Sequence, residues 1–364
     1  MEERIPHTMY VTISLHGGGA ERLLTNLLLQ HNAPDRISVV TLYSGGVFRR
    51  SLENAGIRIT DLGMRHRWDA LRALFELAAL IRARRPAVVY GWMYHANILA
   101  LFAALLAGRP RARVFWGIFC TDFGGGFFPL FRIVRRVSCF LSRWVTGVIY
   151  NAEEARDYHH HIGYREKRSL VISNCIDPDV FHYDPQQREA FRAELAIDPA
   201  DVVVAAVARV DPMKDWRTMR EAVRDLPGVV MVAIGSGTDE LPPQPGFIGL
   251  GWRDDVVPVL SAADIFLLGS AYGEGASLAL GEAMLCGLPC IVTDVGGNAS
   301  LAGDGGIVVE PRNPAAIRKA VLQLANDRVR RAELGRTARA RAAASESRVE
   351  TVRRLDSLSR GTSL

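Results

Sequence analysis

The stretch GEGASLALGEAM, residues 273–284, carries two glutamates separated by seven residues. The run before it, ADIFLLGS (263–270), is short and rich in large apolar residues, which predicts a buried strand. Ser277 stands where a helix N-cap is expected, and Gly287 stands where that helix should end. CIVTDVGG (290–297) predicts the next strand. The succession predicts a βαβ unit of a parallel sheet.

The loop of this unit suits a ligand that carries both phosphates and hydroxyl groups. In open α/β sheets, ligands bind at the carboxyl ends of the strands, where this loop lies. The helix N-terminus offers backbone N–H groups to an anion, and Gly275, Ala276 and Ser277 are small enough for close approach. Glu274 and Glu282 are suited to accept hydrogen bonds from hydroxyl groups. A nucleotide sugar has this layout, and an ordinary crossover with two surface glutamates is the alternative.

The composition is that of a globular protein with two domains. The chain has 364 residues, more than one ordinary core accommodates, and 49% of them are hydrophobic. No signal-peptide pattern is present, and the longest apolar run (97–108) is about half a membrane span, so a cytoplasmic protein is expected. Five cysteines without a CxxC pair predict reduced, buried thiols.

Charge is divided unevenly along the chain. Residues 1–174 carry 23 Arg or Lys against 13 Asp or Glu, a net of +10, and the remainder carries 21 against 26, a net of −5. This division indicates an anionic surface or substrate for the first half. Nucleic acid is not an expected partner.

Both halves alternate strand and helix patterns, which predicts an α/β fold. The predicted strands are 7–15, 37–45, 87–92, 113–119, 144–152, 202–210, 229–237, 247–252, 263–270 and 290–297. We therefore expect two tandem Rossmann-like domains with doubly wound parallel sheets, facing a cleft and joined by the linker NCIDPDVFHYDP (174–185). The segment 336–355, rich in Arg, Ala and Ser, is predicted to be helical.

Three further loops follow predicted strands. HGGGAE (16–21) lets a ligand approach its backbone, although a tight turn is the alternative. In ARVDPMKDW (208–216), Arg209 and Lys214 flank a turn, so both cations can face one diphosphate. Because the chain has 41 arginines and only three lysines, a lysine here favours a specific point-charge role. VAIGSGTDE (232–240) is another glycine turn.

Taken in order, these segments resemble the retaining glycosyltransferases of family four, the group 1 glycosyl transferases, which have the GT-B architecture. The resemblance covers nearly the whole chain and is most specific at Glu274 and Glu282, which match that family's pair of glutamates. It also rests on the GGGAE loop, the NCIDPDVF linker, the GSG turn, GWRDDVVPVLSAADIFLLGS and the CGLPCIVTD segment.

The resemblance implies a first domain over 1–174 on the acceptor side and a donor-binding domain over 175–344, with a C-terminal helix over about 345–364 crossing back onto the first. The donor, a nucleotide-diphosphate sugar, would be bound by Gly18, Gly19, Arg209, Lys214, Trp252, Arg253, Glu274, Gly275, Ala276, Ser277 and Glu282.

Each group of donor-binding residues has an implied role. Arg209 and Lys214 would hold the diphosphate, Glu282 the ribose, and Glu274 the transferred sugar, with the amides of residues 275–277 close by. The base would lie near Trp252 and Arg253. The catalytic residues would be Arg209, Lys214 and Glu274. No metal ion or other cofactor is expected, because two cations and a helix N-terminus can neutralise a departing diphosphate.

The chain departs from the family pattern at two places. Ala276 stands where an aromatic residue is usual, and Phe119 or Cys120 stands where many members have a histidine. His95 and Asp122 are the candidate acceptor-side groups, with a structural hydrogen-bonding role as the alternative for either.

Other chemistries fit less well. A dehydrogenase fingerprint is incomplete, since GSGTDE lacks its third glycine. The DxD at 177–179 is expected to form a turn, and His159 to His161 are expected to lie at a solvated helix end. A same-fold epimerase or phosphorylase, or a non-catalytic nucleotide-sugar-binding protein, remains as the alternative function.

Residues 127–144 combine apolar and basic residues. One helix face is predicted to be apolar, and four arginines flank it. The apolar residues are Phe127, Leu130, Phe131, Val134, Val137 and Leu141, and the arginines are Arg132, Arg135, Arg136 and Arg143. The helix either packs on its own sheet or meets an anionic membrane surface. The expected function is transfer of a hexose to a lipid-linked or cell-surface glycan precursor in polysaccharide biosynthesis, by a cytoplasmic or peripheral membrane enzyme.

Overall fold

The computed structural model describes residues 7–31, 33–108, 113–122, 129–172, 174–345 and 347–360. The strands are β1 Thr8–Thr12, β2 Ile37–Thr41, β3 Arg58–Asp61, β4 Val88–Trp92, β5 Arg113–Ile118, β6 Gly147–Tyr150, β7 Ser169–Val171, β8 Val202–Val207, β9 Val229–Ile234, β10 Phe247–Gly249, β11 Ile265–Leu268, β12 Cys290–Thr293 and β13 Gly306–Val309.

The helices alternate with these strands. They are α1 Gly19–Leu29, α2 Arg49–Asn54, α3 Ala70–Arg84, α4 Tyr94–Leu106, α5 Pro129–Leu141, α6 Glu153–His161, α7 Pro185–Glu194, α8 Trp216–Val223, α9 Val257–Ala262, α10 Leu278–Leu285, α11 Asn298–Ala302, α12 Pro314–Ala325, α13 Arg328–Ala343 and α14 Arg348–Arg360.

The chain forms two compact units. The first comprises Met1–Phe119, Gly125–Cys175 and Glu346–Leu364, and the second comprises Cys120–Gly124 and Ile176–Ser345. The first contains a seven-stranded sheet of order β3-β2-β1-β4-β5-β6-β7, and the second a six-stranded sheet of order β10-β9-β8-β11-β12-β13. Every strand pairing in the two sheets is parallel. The predicted fold class, two doubly wound α/β domains in tandem, is confirmed.

The central strands are buried on both faces, which explains their continuous apolar runs. In the first unit, an aromatic row crosses three neighbouring strands in register: Tyr10 on β1, Tyr90 on β4 and Phe115 on β5. The ring centroids of Tyr10 and Tyr90 are 4.8 Å apart, and those of Tyr90 and Phe115 are 5.3 Å apart. This row fixes the register of the strands at the centre of the sheet.

Three strands, β3, β7 and β13, are absent from the sequence prediction. All three lie at an edge of their sheet, and most of their residues are half-buried or exposed. An edge strand is covered less completely than a central one, so it lacks the long apolar run on which the prediction depends.

The segment 336–355 is helical, as predicted, and the structure divides it between two helices. Helix α13 ends at Ala343, and α14 begins at Arg348. Helix α14 belongs to the first unit, where the hydroxyl of Tyr90 donates to the carbonyl oxygen of Leu355 at 3.4 Å. The break coincides with the passage of the chain from the second unit back to the first.

Helix α5 directs most of its predicted apolar face inward, which agrees with the alternative that the helix packs on its own sheet. Leu141 is buried, and Phe131 and Val134 are half-buried, so most of the described part of the predicted apolar face packs inward. The ring of Phe131 contacts that of Tyr94 edge-on at 5.3 Å. Phe127 lies outside the described residues, as does the side chain of Leu130.

The cysteines are thiols, as predicted. None of the five forms a disulfide, and four of them are buried while Cys139 is half-buried. Burial raises the pKa of Cys286 to about 12, with the nearby carboxylate of Glu282 as the next contribution. Such a thiol stays protonated and unreactive at neutral pH.

No helix among the described residues is long and apolar enough to cross a membrane.

The expectation of a solvated helix end at His159 to His161 is wrong for His159, which is fully buried. Its Nδ1 lies 2.6 Å from the carbonyl oxygen of Ala155, and its Nε2 lies 2.6 Å from the hydroxyl of Tyr94. A carbonyl only accepts, so Nδ1 carries the proton and Nε2 accepts from Tyr94. Burial lowers the pKa of His159 to about 4.

This burial predicts acid sensitivity of the fold. Between pH 6.5 and about 4, the unfolded chain protonates His159 and the folded chain does not. The free energy of unfolding should therefore fall as the pH drops through this window, by up to about 3 kcal/mol from this residue. Urea denaturation at several pH values measures the slope, which His159→Asn should reduce.

His161→Asn is the matched control, because it removes an exposed histidine from the same helix. It should keep the wild-type slope. Equal slopes for wild type and His159→Asn would show that His159 is not the source of the effect.

Candidate active site

The site residues of the second unit gather where its strand order reverses. Strand β8 lies between β9 and β11, so connections leave it in both directions. In such a sheet, the loops that follow the two central strands part and leave a crevice at their carboxyl ends. The loop after β8 carries Arg209 and Lys214, and the loop after β11 carries Glu274.

Lys214 is positioned by a short 3-10 helix, Pro212–Lys214. The carboxylate of Asp211 caps this turn by accepting from the backbone N–H of Met213 at 2.8 Å. The carbonyl oxygen of Met213 in turn accepts from the N–H of Ala271 at 2.8 Å, which ties the β8 loop to the β11 loop. These bonds direct the Lys214 side chain toward the β11 loop.

Glu274 is a buried carboxylate with two side-chain partners. It is 6% exposed. Its Oε1 accepts from the ammonium group of Lys214 and, at 2.5 Å, from the hydroxyl of Ser270. A buried charge is stable only when it is paired and hydrogen-bonded. The family resemblance implies separate roles for Lys214 and Glu274, and the structure joins them in one ion pair.

The backbone of the β11 loop is held by the loop after β12. The N–H of Gly297 donates to the carbonyl oxygen of Gly275 at 2.9 Å, and the N–H of Ser277 donates to Asn298 Oδ1 at 3.2 Å. Gly296 has φ +59°, and a Cβ there would lie 2.0 Å from the carbonyl oxygen of Glu274. Only glycine permits this contact.

A third segment of the second unit reaches the same loop. The hydroxyl of Thr121 donates to the carbonyl oxygen of Glu274 at 2.7 Å, and both groups are buried. Asp122 follows directly and is exposed. The backbone at Glu274 is thus held from two directions.

Helix α10 begins where the sequence predicts. Ser277 is its N-cap residue and Gly287, at φ +77°, follows its end. Ser277 makes no side-chain capping bond, and its backbone N–H is engaged by Asn298. Glu282 lies in the second turn and is 1% exposed. Ile176 packs against the helix, since a Cβ on Gly281 would lie 2.4 Å from its Cδ1.

The remaining predicted donor-binding residues of the second unit lie closer to solvent. Arg209 is about half exposed and pairs with Asp211 at 3.2 Å. Trp252 is partly exposed and donates through Nε1 to Asp254 at 3.1 Å. Arg253 lies 3.5 Å from Glu194 on α7. In this structure, therefore, neither arginine pairs with Glu274.

The other predicted residues belong to the first unit. Gly18 is the N-cap residue of α1 and Gly19 is its first residue. A Cβ on Gly18 would lie 2.1 Å from Oε2 of Glu21, so the glycine makes room for that carboxylate. His95 lies exposed in the first turn of α4. His95 and Asp122 therefore fall in different units.

Ser270, Asn298 and Thr121 are contacts that the sequence prediction missed. Asn298 directly follows a glycine pair after a predicted strand, a position from which it starts α11. That position was a usable signal, because short polar residues after a strand commonly engage neighbouring backbone groups. Nothing in the sequence relates Thr121 to Glu274, which is 153 residues away.

The DxD at 177–179 forms a turn. Asp177 Oδ1 accepts from the N–H of Asp179 at 3.0 Å, and its carbonyl oxygen accepts from Phe181 at 2.9 Å. Within the described ranges, no group of three or more His, Cys, Asp or Glu side chains is arranged to hold a metal ion.

Two sequence families match the chain, one in each half. Residues 17–180 match Glycosyltransferase Family 4, and residues 187–341 match Glycosyl transferases group 1. Together with the fold and the predicted pair of glutamates, these matches show that the chain belongs to the group 1 glycosyltransferases.

Individual relatives agree with this assignment. The chain is 25% identical over 283 residues to an Escherichia coli UDP-Gal:alpha-D-GlcNAc-diphosphoundecaprenol alpha-1,3-galactosyltransferase, across 71% of each chain. It is 34% identical over 179 residues to a D-inositol 3-phosphate glycosyltransferase of Mycolicibacterium gilvum, across 42% of this chain and 40% of that protein. It therefore spans less than half of the second relative.

Solved structures show the same fold. The structure of Anabaena HepE in complex with UDP-glucose matches with a TM-score of 0.84 at 20% identity, covering 96% of this chain and 97% of that chain. The architecture is therefore GT-B.

The bond between Asn298 and Ser277 predicts a specific effect. Asn298→Ala leaves a buried N–H without its acceptor, which should lower the free energy of unfolding by about 1–3 kcal/mol. Because the Glu274 loop loses one of its supports, the rate of sugar transfer should also fall, by about 10–10²-fold. Denaturation and steady-state kinetics measure the two effects.

Asp327→Ala is the control, because Asp327 accepts a backbone N–H at 2.8 Å as the cap of α13. It should cost about 1 kcal/mol of stability and leave the transfer rate unchanged. Equal losses of transfer rate in the two variants would contradict a specific role for Asn298.

Proposed function

We propose that the protein is a retaining hexosyltransferase that uses a nucleotide-diphosphate sugar. The buried Lys214–Glu274 pair at the switch point of the second sheet carries the proposal. It places a cation for a diphosphate and a carboxylate for sugar hydroxyls on adjoining loops, beside the N-terminus of α10. An ion pair with a purely structural role could lie anywhere in the fold, whereas this one lies at the switch point, where ligands bind in such sheets.

The donor is proposed to lie along these loops. The diphosphate faces Lys214, Arg209 and the N-terminus of α10, where a helix dipole and first-turn N–H groups favour an anion. Glu274 Oε1 is engaged by Lys214 and Ser270, so Oε2 is the oxygen offered to the hexose. The second turn of α10 presents Glu282 to the ribose hydroxyls.

The base is assigned to the segment after β10. There Trp252 offers a partly exposed indole ring for stacking, with Arg253 next to it. In the first unit, Gly18 and Gly19 provide a small-residue loop at the start of α1, suited to approach the same donor.

The proposed reaction retains configuration at the anomeric carbon. The bond from this carbon to the diphosphate oxygen breaks, and the bond to the acceptor oxygen forms on the same face. The acceptor proton passes to the departing phosphate oxygen. Lys214, Arg209 and the α10 N-terminus stabilise the charge that develops on the diphosphate, so no metal ion is required in this scheme.

The acceptor is proposed to be a lipid-linked or cell-surface glycan precursor of polysaccharide biosynthesis, reached from the cytoplasmic side. The name of the Escherichia coli relative supports a diphosphoundecaprenol-type acceptor, and the net charge of +10 over residues 1–174 supports an anionic one. His95 and Asp122 are the proposed acceptor-side groups.

A same-fold epimerase, a phosphorylase or a non-catalytic binding protein is the alternative. A panel of nucleotide sugars, with and without a polyprenyl-diphosphate sugar as acceptor, distinguishes them. A transferase releases nucleoside diphosphate and lengthens the acceptor, and nuclear magnetic resonance of the product reports retention. Isomerised donor, or binding without turnover, would contradict the proposal.

Lys214 provides the first test of this proposal. Lys214→Ala should remove charge-assisted bonds worth about 1.5–3 kcal/mol. Turnover should fall about 10²–10³-fold, because a preorganised electrostatic group is lost. Lys319→Ala is the matched control, since Lys319 is an exposed lysine on α12 of the same unit. Unchanged turnover in Lys214→Ala would end the assignment.

The two glutamates provide a second test. Glu282→Gln should weaken binding of the free nucleoside diphosphate and of the sugar donor alike, because both contain the ribose. Glu274→Gln should spare nucleoside diphosphate binding and reduce turnover, because only the donor contains the hexose. Calorimetric titration with both ligands measures this. Equal losses of nucleoside diphosphate affinity in the two variants would contradict separate roles.

A further inference from the structure

One face of the first unit exposes large apolar side chains. Trp68, Leu71 and Phe75, just before and within α3, are 80%, 64% and 58% exposed. At the end of α4, Leu105 and Leu106 are also exposed, together with Phe102 one turn earlier. Several large apolar side chains exposed on neighbouring helices are typical of an interaction site on a folded protein.

The surface continues onto α5. Ile133, Val137 and Phe140 recur at steps of four and three residues and are exposed, and Trp144 extends the same row by one more turn. Ser138, on the other side of the helix, is fully buried. Ten of the twenty exposed large apolar residues in the described part of the chain lie on these three helices and their adjoining turns.

The three helices lie side by side. Helix α3 packs beside α4, and α4 beside α5. The guanidinium of Arg82 on α3 donates to the carbonyl oxygen of Leu106 on α4 at 2.9 Å, which joins two of them at one end. Helix α3 connects β3 to β4, α4 connects β4 to β5, and α5 connects β5 to β6, so all three connections step in the same direction along the sheet. Because such crossovers are right-handed, all three helices lie on the same side of the sheet. Their outward sides therefore form one surface, here called the α3–α5 face.

The α3–α5 face is also basic. From 67 to 84, which includes α3, the sequence contains four arginines and two acids, Asp69 and Glu76, and from 94 to 144 it contains seven arginines and a single acid, Asp122. On α5 and the turn after it, Arg132, Arg136 and Arg143 recur at steps of four and seven residues. They form an exposed row directly beside the apolar residues.

Two arginines lie against the exposed tryptophans. The guanidinium of Arg143 is 4.8 Å from the ring centroid of Phe140 and 5.7 Å from that of Trp144, and Arg67 is 5.0 Å from Trp68. A Trp ring with an adjacent cation is the combination that sits at the boundary between hydrocarbon and headgroups. The chemistry of the face therefore matches a lipid surface.

We propose that the α3–α5 face docks the protein on an anionic lipid bilayer, with the apolar side chains among the acyl chains and the arginines on the phosphates. The inference deepens the proposed function, on which it rests only for the lipid-linked acceptor. A second copy of the chain fits the face less well, because it would bring a second set of arginines against the first.

Vesicle flotation tests the proposal on the full chain. Wild type should bind vesicles of phosphatidylcholine mixed with phosphatidylglycerol at low salt, bind less at high salt, and bind vesicles of phosphatidylcholine alone weakly. The triple variant Arg132→Ser, Arg136→Ser, Arg143→Ser should lower binding about 10²-fold, since each near-surface cation contributes a factor of about five.

The apolar part of the face has its own variant. Trp68→Ser, Leu71→Ser and Phe75→Ser together should reduce binding at both salt concentrations by about tenfold or more, because the loss does not depend on charge. The matched control is Leu322→Ser with Val329→Ser, which removes exposed apolar residues from the second unit. An equal loss in this control would overturn the proposal.

Tryptophan fluorescence locates the contact. Brominated lipid should quench wild type, and the quenching should fall in Trp68→Phe and Trp144→Phe. It should stay unchanged in Trp252→Phe, which alters a partly exposed tryptophan of the second unit. Quenching that is lost only with Trp252 would contradict docking through the α3–α5 face.

The failure of this inference is distinguishable from failure of the proposed function. Release of nucleoside diphosphate from a sugar donor, measured without vesicles, should be unchanged in both triple variants, whereas vesicle binding should be lost. If wild type fails to bind at low salt, or light scattering shows a dimer that both triple variants dissociate, membrane docking is wrong even when donor turnover is intact.

Discussion

The buried carboxylate of Glu274 ties together the loops that follow β8 and β11 in the second unit. A charge that is only 6% exposed is stable when a cation and a hydroxyl reach it, and these come from Lys214 and Ser270. Lys214 reaches it because β8 and β11 are neighbours, although the two residues are 60 positions apart. The order of the strands is therefore a condition for the ion pair.

The same loop is rigid for a second reason. Its carbonyl oxygens accept from Gly297 and Thr121, and the N–H of Ser277 donates to Asn298. Each bond gives a backbone group of this loop a partner within the protein. Because Gly296 has no Cβ, the loop after β12 can approach the loop after β11. A carboxylate held in this way is preorganised, which is the property that electrostatic catalysis depends on.

The two units divide the chemistry between them. Residues 175–364, which contain most of the second unit, carry a net charge of −5, yet the switch point of that unit has Lys214 and a helix N-terminus. The first carries the excess of arginines, and part of that excess lies beside uncovered apolar side chains on α3, α4 and α5. Under the proposed function, this division would separate the binding of a small anionic donor from the approach of a large acceptor.

Local patterns were enough to predict the class of fold, most of the central strands and the loops that carry the candidate site, because buried parallel strands and their glycine turns leave continuous runs in the sequence. It missed the edge strands β3, β7 and β13, whose partial exposure removes that pattern. The fold was needed to learn that Lys214 pairs with Glu274, that His159 is buried, and which side of α5 is exposed. Periodicity shows which residues share one face of a helix or strand. The elements that pack against that face are distant in the sequence, so they leave no local pattern from which the contact can be predicted.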